Sequence, residues 1–485
     1  MSRIRRLSYP GLPWALAAAL LCLVTLAIRW PGVAMYDSVA QYGQALDGTY
    51  SDWHPPIMAE TWALLMRVWP GTAPFFMLQM LLWWGGLGLL AAALARRGRR
   101  GAAAAVLLIG AAPLFLGWAT VVLKDAQMAA CLVAATGLVA HWRLEERALP
   151  IWAAAVVAGL IGYATLVRGN ALFACVPFAL ALVEWGGVGR WWLRVMLLLA
   201  VTGMVMAANS AINHRLLGAE RTYVERSLPL YDLAGIGHLA GLAAIPGLTP
   251  AEWAAAERRG CYTPYFWNPY GEPAQCDAVG QAVAFDDDAG PHIMRRWVEQ
   301  VARHPFAYAW HRLGHLNSNL RFWVGPGEHD AVPPLGSEPN ELGLGAPPGR
   351  AAGWLIAAAG AMAASPPGWP VVWLAVAIGL LWASRQTDAQ AALGRALALS
   401  AACMSASFAV VSIASDLRYH LWSMVAAALA LVLLLDARAI DRRRGRIASA
   451  VVLGVVAVAS LGHLGLAAPV YVPLPARVPA AAALP

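Results

Sequence analysis

Residues 12–56 read LPWALAAALLCLVTLAIRWPGVAMYDSVAQYGQALDGTYSDWHPP, and the change of character after Trp30 sets the reading of the whole chain. The first part, 12–30, is almost wholly apolar and long enough to cross the hydrocarbon core of a bilayer as one helix. The second part packs Asp37, Asp47, Asp52 and His54 into residues 36–56. Ionisable groups held at a membrane boundary are costly and usually functional. An all-α polytopic membrane protein with a chemically active first outer loop is therefore expected.

Composition supports the membrane class. Of 485 residues, 60% are hydrophobic and 13% charged, against roughly 25% charged in soluble domains. The net charge of +8 does not read as nucleic-acid binding. Basic residues sit in short clusters between apolar runs (Arg96, Arg97, Arg99 and Arg100; Arg442, Arg443, Arg444 and Arg446), as expected for loops facing the cytoplasm. Lys124 is the chain's single lysine.

The N-terminal MSRIRR could open a signal peptide, but no small-residue cleavage site follows, and 12–30 is read as an uncleaved first span. Arg3, Arg5 and Arg6 then put the N-terminus in the cytoplasm and the loop 31–70 outside. Further spans are expected at 75–95, 102–120, 122–142, 151–167, 171–185, 195–212, 397–414, 421–435 and 447–466. The stretch 351–384 is broken at Pro366-Pro367-Gly368-Trp369-Pro370. It is read as one full span plus a short interfacial or re-entrant helix, giving about 11 transmembrane helices, with 12 or 13 as alternatives. Three regions follow: an N-terminal transmembrane module, 1–213, with the catalytic outer loop 31–70; a large outer segment, 214–350; and a C-terminal transmembrane module, 351–485. The middle region holds 11 arginines against 15 acids, unlike the basic remainder. It also holds Cys261 and Cys276, a possible disulfide if it faces an oxidising compartment. Cys22, Cys131, Cys175 and Cys403 read as small core residues.

Polar residues at outer span ends and in the large segment form a convergent set: Asp37, Asp52, His54, Lys124, Asp125, Arg168, Asn170, Arg312, Arg321, Asp416, Arg418, Tyr419 and His420. Lys124, Arg168, Arg312, Arg321 and Arg418, with Tyr419, suit a phosphate group. A carboxylate near an acceptor hydroxyl or amine suits proton abstraction, with Asp37, Asp52 and Asp125 as the candidates and His54 and Asn170 as supporting groups. Each has a plainer reading. Asp37 could cap a helix, Asp52 and Asp47-Gly48 could be turns, and Lys124, Arg168 and Arg418 could be interfacial anchors. Asp286-Asp287-Asp288 looks like a metal-binding run but reads better as a solvated acidic stretch. No Cys/His spacing resembles a zinc site, and a divalent-metal requirement stays open.

The loop resembles the first outer loop of the GT-C glycosyltransferases, closest to the protein O-mannosyltransferase and aminoarabinose transferase group. The likeness rests on Asp37 directly after the first span, on Gly48-Thr49-Tyr50, and on Asp52-Trp53-His54-Pro55-Pro56. The Arg418-Tyr419 pair before a late span adds to it. The mannosyltransferases usually carry Asp-Glu where this chain has Asp37-Ser38. The resemblance implies a GT-C fold and a catalytic carboxylate at Asp37. It also implies a polyprenyl-phosphate-linked sugar as donor, with no permanently bound cofactor, and a glycan, lipid or protein acceptor. The enzyme would sit in a bacterial inner membrane with its active site facing the periplasm. A polysaccharide ligase or polymerase, and a transporter or flippase of a lipid-linked or anionic solute, are the alternatives.

Overall fold

The computed structural model describes residues 10–183, 191–265, 276, 279, 289–327 and 331–468. These residues are helical, and the β-type pairings among them are isolated bridges. The run 286–288 lies outside the described residues.

Among the described residues, six helices are long and apolar enough to cross a membrane. They are α1 (Leu12–Arg29), α4 (Ala73–Arg96), α10 (Trp191–Ala211) with the π-turn that follows it, α17 (Ala389–Val411), α18 (Leu421–Asp436) with the 3₁₀ turn before it, and α19 (Arg442–Gly465). The expected straight span at 102–120 is instead two helices, α5 (Arg100–Ala111) and α6 (Pro113–Ala119), meeting at 58°. Pro113 has no N–H and pushes the residue before it out of the helical region, and Ala112 adopts ψ 128°. Counted as one broken span, this pair makes seven. Three apolar helices are shorter: α8 (Ile151–Val167), α9 (Leu172–Leu182) with the 3₁₀ turn before it, and α16 (Pro370–Ala383). The figure of eleven is therefore not reached on length and composition. The expected fourth span, α7 (Lys124–Arg143), opens on Lys124-Asp125 and closes on Arg143, yet it is buried along most of its length.

Helices α4 and α7 form the centre of the bundle. They meet at backbone distance, since a Cβ on Gly86 would strike the Val133 carbonyl and one on Gly137 would strike Gly86. Trp62, Trp83, Trp84, Phe75 and Phe76 are among the largest fully buried side chains.

The bundle has two distinct ends. At one, Arg96 pairs with Glu145, Arg97 with Asp388 (3.9 Å), Arg99 with Asp436 (3.5 Å) and Arg385 with Asp441 (3.7 Å). At the other lie the short helices α2 (Tyr36–Asp47) and α3 (Pro56–Met66) and the polar segment. Helix α15 (Arg350–Ala363) stays at this second end. Ser337, shortly before it, accepts from the Ala34 N–H (2.9 Å), and Trp369, shortly after it, stacks on His463 at the end of α19. α16 then runs to the first end, where Ser384 bridges Ile440.

The polar segment has its own core. Helices α11 (Ser227–Ala240), α12 (Pro250–Arg258), α13 (Ala289–Arg303) and α14 (Pro305–Leu320) gather Leu230, Tyr231, Ile236, Trp253 and Ile293 around a Cys261–Cys276 disulfide. Thr249-Pro250-Ala251-Glu252 starts α12 as a capping box, with Thr249 and Glu252 bonded reciprocally.

Candidate functional site

The first turn of α2 and the start of α7 hang from a shared piece of backbone. The Val122 N–H donates to the Val33 carbonyl (2.8 Å), and the Ser38 hydroxyl donates to the Val122 carbonyl (2.6 Å). Ser38 Oγ also accepts from the Met35 N–H (3.1 Å), so capping of α2 falls to Ser38 and not to Asp37. The Asp37 carboxylate is thereby left to face Lys124 at 3.2 Å.

A second cation reaches Asp37 from far along the chain. Arg418, in the 3₁₀ turn before α18, lies 3.4 Å from Asp37, 3.0 Å from Asp416 and 4.0 Å from Asp125. Asp125 is 1% exposed and also pairs with Arg168, where α8 ends. Arg168 Nε donates to Asn170 Oδ1 (2.8 Å), and its guanidinium lies 4.0 Å from the Tyr419 ring centre. Lys124 donates on to His54 Nδ1 (3.4 Å). Three cations and three carboxylates thus alternate across one bundle end. Lys124, Asp37 and Asp416 keep side chains 17%, 15% and 14% exposed. Among the described residues no group of three or more His, Cys, Asp or Glu is arranged to hold a metal ion.

The electrostatics follow from this placement. Burial alone would raise the Asp37 carboxyl, but Lys124 and Arg418, with His54 behind them, hold it well below the usual carboxylate range. Burial, reinforced by Lys124, pushes His54 down to about 4, so its imidazole is neutral at ordinary pH. An anion arriving here would compete with Asp37 for Lys124 and Arg418. A carboxylate released from both would be a stronger base than the paired one.

Of the residues singled out from sequence, Asp37, His54, Lys124, Asp125, Arg168, Asn170, Asp416, Arg418 and Tyr419 come together. Asp52 does not join them. It accepts from the Thr222 N–H (2.7 Å) and hydroxyl (2.6 Å) and lies 3.5 Å from His214, tying the first loop to the chain beyond α10. Arg312 is also elsewhere, paired with Asp232 at 2.5 Å and donating to the Ser412 carbonyl (2.7 Å). Arg321 is buried at the end of α14, and His420 packs against Asn319 one layer behind the cluster. Sequence reading gave no role to Ser38 or Asp232. An acid inside the apolar run of α11 was the available signal for Asp232.

Compared with known proteins, the chain matches no family model, no curated protein and no solved structure.

Proposed function

We propose that this protein is a GT-C-type glycosyltransferase that moves a sugar from a polyprenyl-phosphate donor to an envelope glycan, lipid or protein at the outer face of a bacterial inner membrane. The observation that carries the reading is the meeting of Asp37, Lys124, Arg168 and Arg418. They come from four separate segments, at one end of a bundle of apolar helices. A membrane-surface site of this kind suits a ligand with an anionic head and an apolar tail.

In the proposed reaction the donor phosphate takes Lys124 and Arg418 as counter-ions, with Arg168 behind them. Asp37, released, accepts the proton of an acceptor hydroxyl. The hydroxyl oxygen forms its bond to the anomeric carbon as the bond from that carbon to the phosphate oxygen breaks. The electron pair leaves with polyprenyl phosphate, whose added negative charge the three cations stabilise. General base catalysis of this kind contributes about 10²–10⁴-fold.

Deleting the gene and profiling envelope glycans and lipids by mass spectrometry tests the reading. One sugar increment is expected to disappear, to return with the wild-type gene, and to stay absent with Asp37→Asn expressed at the same level. Full restoration by Asp37→Asn would remove Asp37 from the chemistry. An unchanged glycan and lipid profile would sink the enzyme reading.

A further inference from the structure

Helix α14 has its apolar side on the outside. His311, Arg312, His315, Ser318 and Asn319 are all buried. Their partners are specific: Arg312 and His311 meet Asp232 at 2.5 and 3.3 Å, and Ser318 donates to Ser415 (2.8 Å). Asn319 donates to Ser412 and to the Ala414 carbonyl, both at 2.8 Å. On the opposite side Phe306, Trp310 and Leu313, one stripe at helical spacing, are 89%, 69% and 57% exposed. A helix bordering water shows the reverse, with its apolar stripe turned to the core. The charged side chain of this helix, Arg312, points inward, so nothing charged interrupts the stripe.

The stripe runs toward the exposed apolar surface of α19, a helix long and apolar enough to cross a membrane. Leu320, at the end of α14, packs with Trp369, Val371 and Val372 around α16 and with Ala459 of α19. Just beyond, the Trp323 N–H donates to Asn317 (2.8 Å), and the Trp323 backbone lies against Gly462 of α19. Trp323 is itself 45% exposed, beside Leu461 and Leu464 of α19 at 63% and 86%. A membrane-crossing helix turns such residues toward acyl chains.

We propose that α14 lies in the headgroup-to-acyl boundary of the bilayer, with Phe306, Trp310 and Leu313 immersed in lipid, so that the polar segment is seated on the membrane. Aromatic residues favour this depth, and helices with one apolar face bind there by area buried. The seating has a consequence at the candidate site. The loop 412–416, bonded along the polar side of α14, leads directly into Arg418, so lipid contact at one side of the helix sets the position of a cation at the other. The inference rests on the packing of α14 and holds whatever reaction the site performs.

Carbene-generating acyl-chain lipid in phosphatidylethanolamine/phosphatidylglycerol nanodiscs, applied to the unmodified full-length protein, provides the first test. After trypsin, adducts are expected on peptide 304–312 at a yield comparable with peptides of α19, and not on the peptide carrying α12. Adducts on α19 with none on 304–312 would overturn the proposal. Spin labels at Phe306→Cys and Leu313→Cys give an independent measure, with Arg258→Cys on α12 as the water-facing control. The ratio of oxygen to nickel-chelate collision should be severalfold higher at the two α14 positions than at the control. Equal ratios would show a water-facing helix. Low access to both reagents with spin–spin broadening would assign the stripe to a second copy of the chain. Either result overturns the lipid assignment.

Discussion

The Lys124 ammonium stands 3.2 Å from the Asp37 carboxylate and 3.4 Å from His54 Nδ1, so the chain's single lysine bridges an ionised acid and a neutral imidazole. The same cation helps hold the acid ionised and reinforces the burial that keeps the imidazole neutral. Replacing it should be read first in Asp37. In Lys124→Gln the carboxyl loses its nearest counter-charge and its pKa climbs toward the ordinary value of about 4. Transfer is expected to fall at least about tenfold, and the acid limb of the pH–rate profile to move upward. Lys124→Arg keeps the charge and should retain more activity. Initial rates against pH in membranes decide the matter, and a wild-type profile in Lys124→Gln would separate the pair from function.

Asp125 supports the site from beneath. It is 1% exposed and faces Arg168 and Arg418. Asp125→Asn leaves two buried cations short of a counter-ion, a loss of about 3–5 kcal/mol. Thermal unfolding in detergent should show it. The double variant Asp125→Asn/Arg168→Gln should recover part of the loss, because it removes one of the stranded charges.

The α4–α7 contact allows no side chain at its crossing. Gly86→Ala or Gly137→Ala places a methyl against the facing helix backbone, and overpacking of this kind costs about 1–3 kcal/mol. A lowered melting temperature is the expected result. A substitution at Gly85, which has open space around it, should be nearly silent on packing.

His54 gives the fold a pH dependence. Its folded value is about 4, below its ordinary 6.5, so between those values the unfolded chain binds more protons. The contribution is complete above about pH 6.5 and is lost as pH falls toward 4. The shift corresponds to about 3 kcal/mol at most. Comparing thermal melts of wild type and His54→Gln at pH 7.5 and pH 5 isolates it, with the wild type expected to lose more on acidification.

Cys261 and Cys276 close a loop of sequence separation 15 within the core of the polar segment. Cys261→Ser should cost about 3 kcal/mol in that segment. Proteolysis between α12 and α13 should accelerate in the variant, while the helices of the bundle stay protected.

Much of this arrangement was legible in the chain because membranes impose simple rules. Charges cost too much inside apolar runs, so Asp37, Lys124, Arg168 and Arg418 stood out at the run ends, and their common side followed from alternating spans. What could not be read were choices between partners. Nothing in sequence gave Arg312 to Asp232, or Asp52 to Thr222, because both pairings join distant segments. The break at Pro113 was missed for a different reason. Hydropathy continues unbroken through Ala112-Pro113-Leu114, and only the missing N–H marks the bend. Helix α7 runs from the Lys124 end of the bundle to the end where His141 meets Arg96, and its polar ends weaken it only as an apolar run.

The crosspiece from Val33 to Val122 fixes one more property of the chain. Asp37 lies four residues after one anchor and Lys124 two after the other, with Ala34, Met35 and Tyr36 filling the first interval. One residue inserted there would turn the first helical turn by about 100° and carry the carboxylate away from its lysine. Length is what those three positions must preserve together, and Ala34, fully buried in the core, is also held to a small side chain. They form a spacer gauge, closed to insertion or deletion.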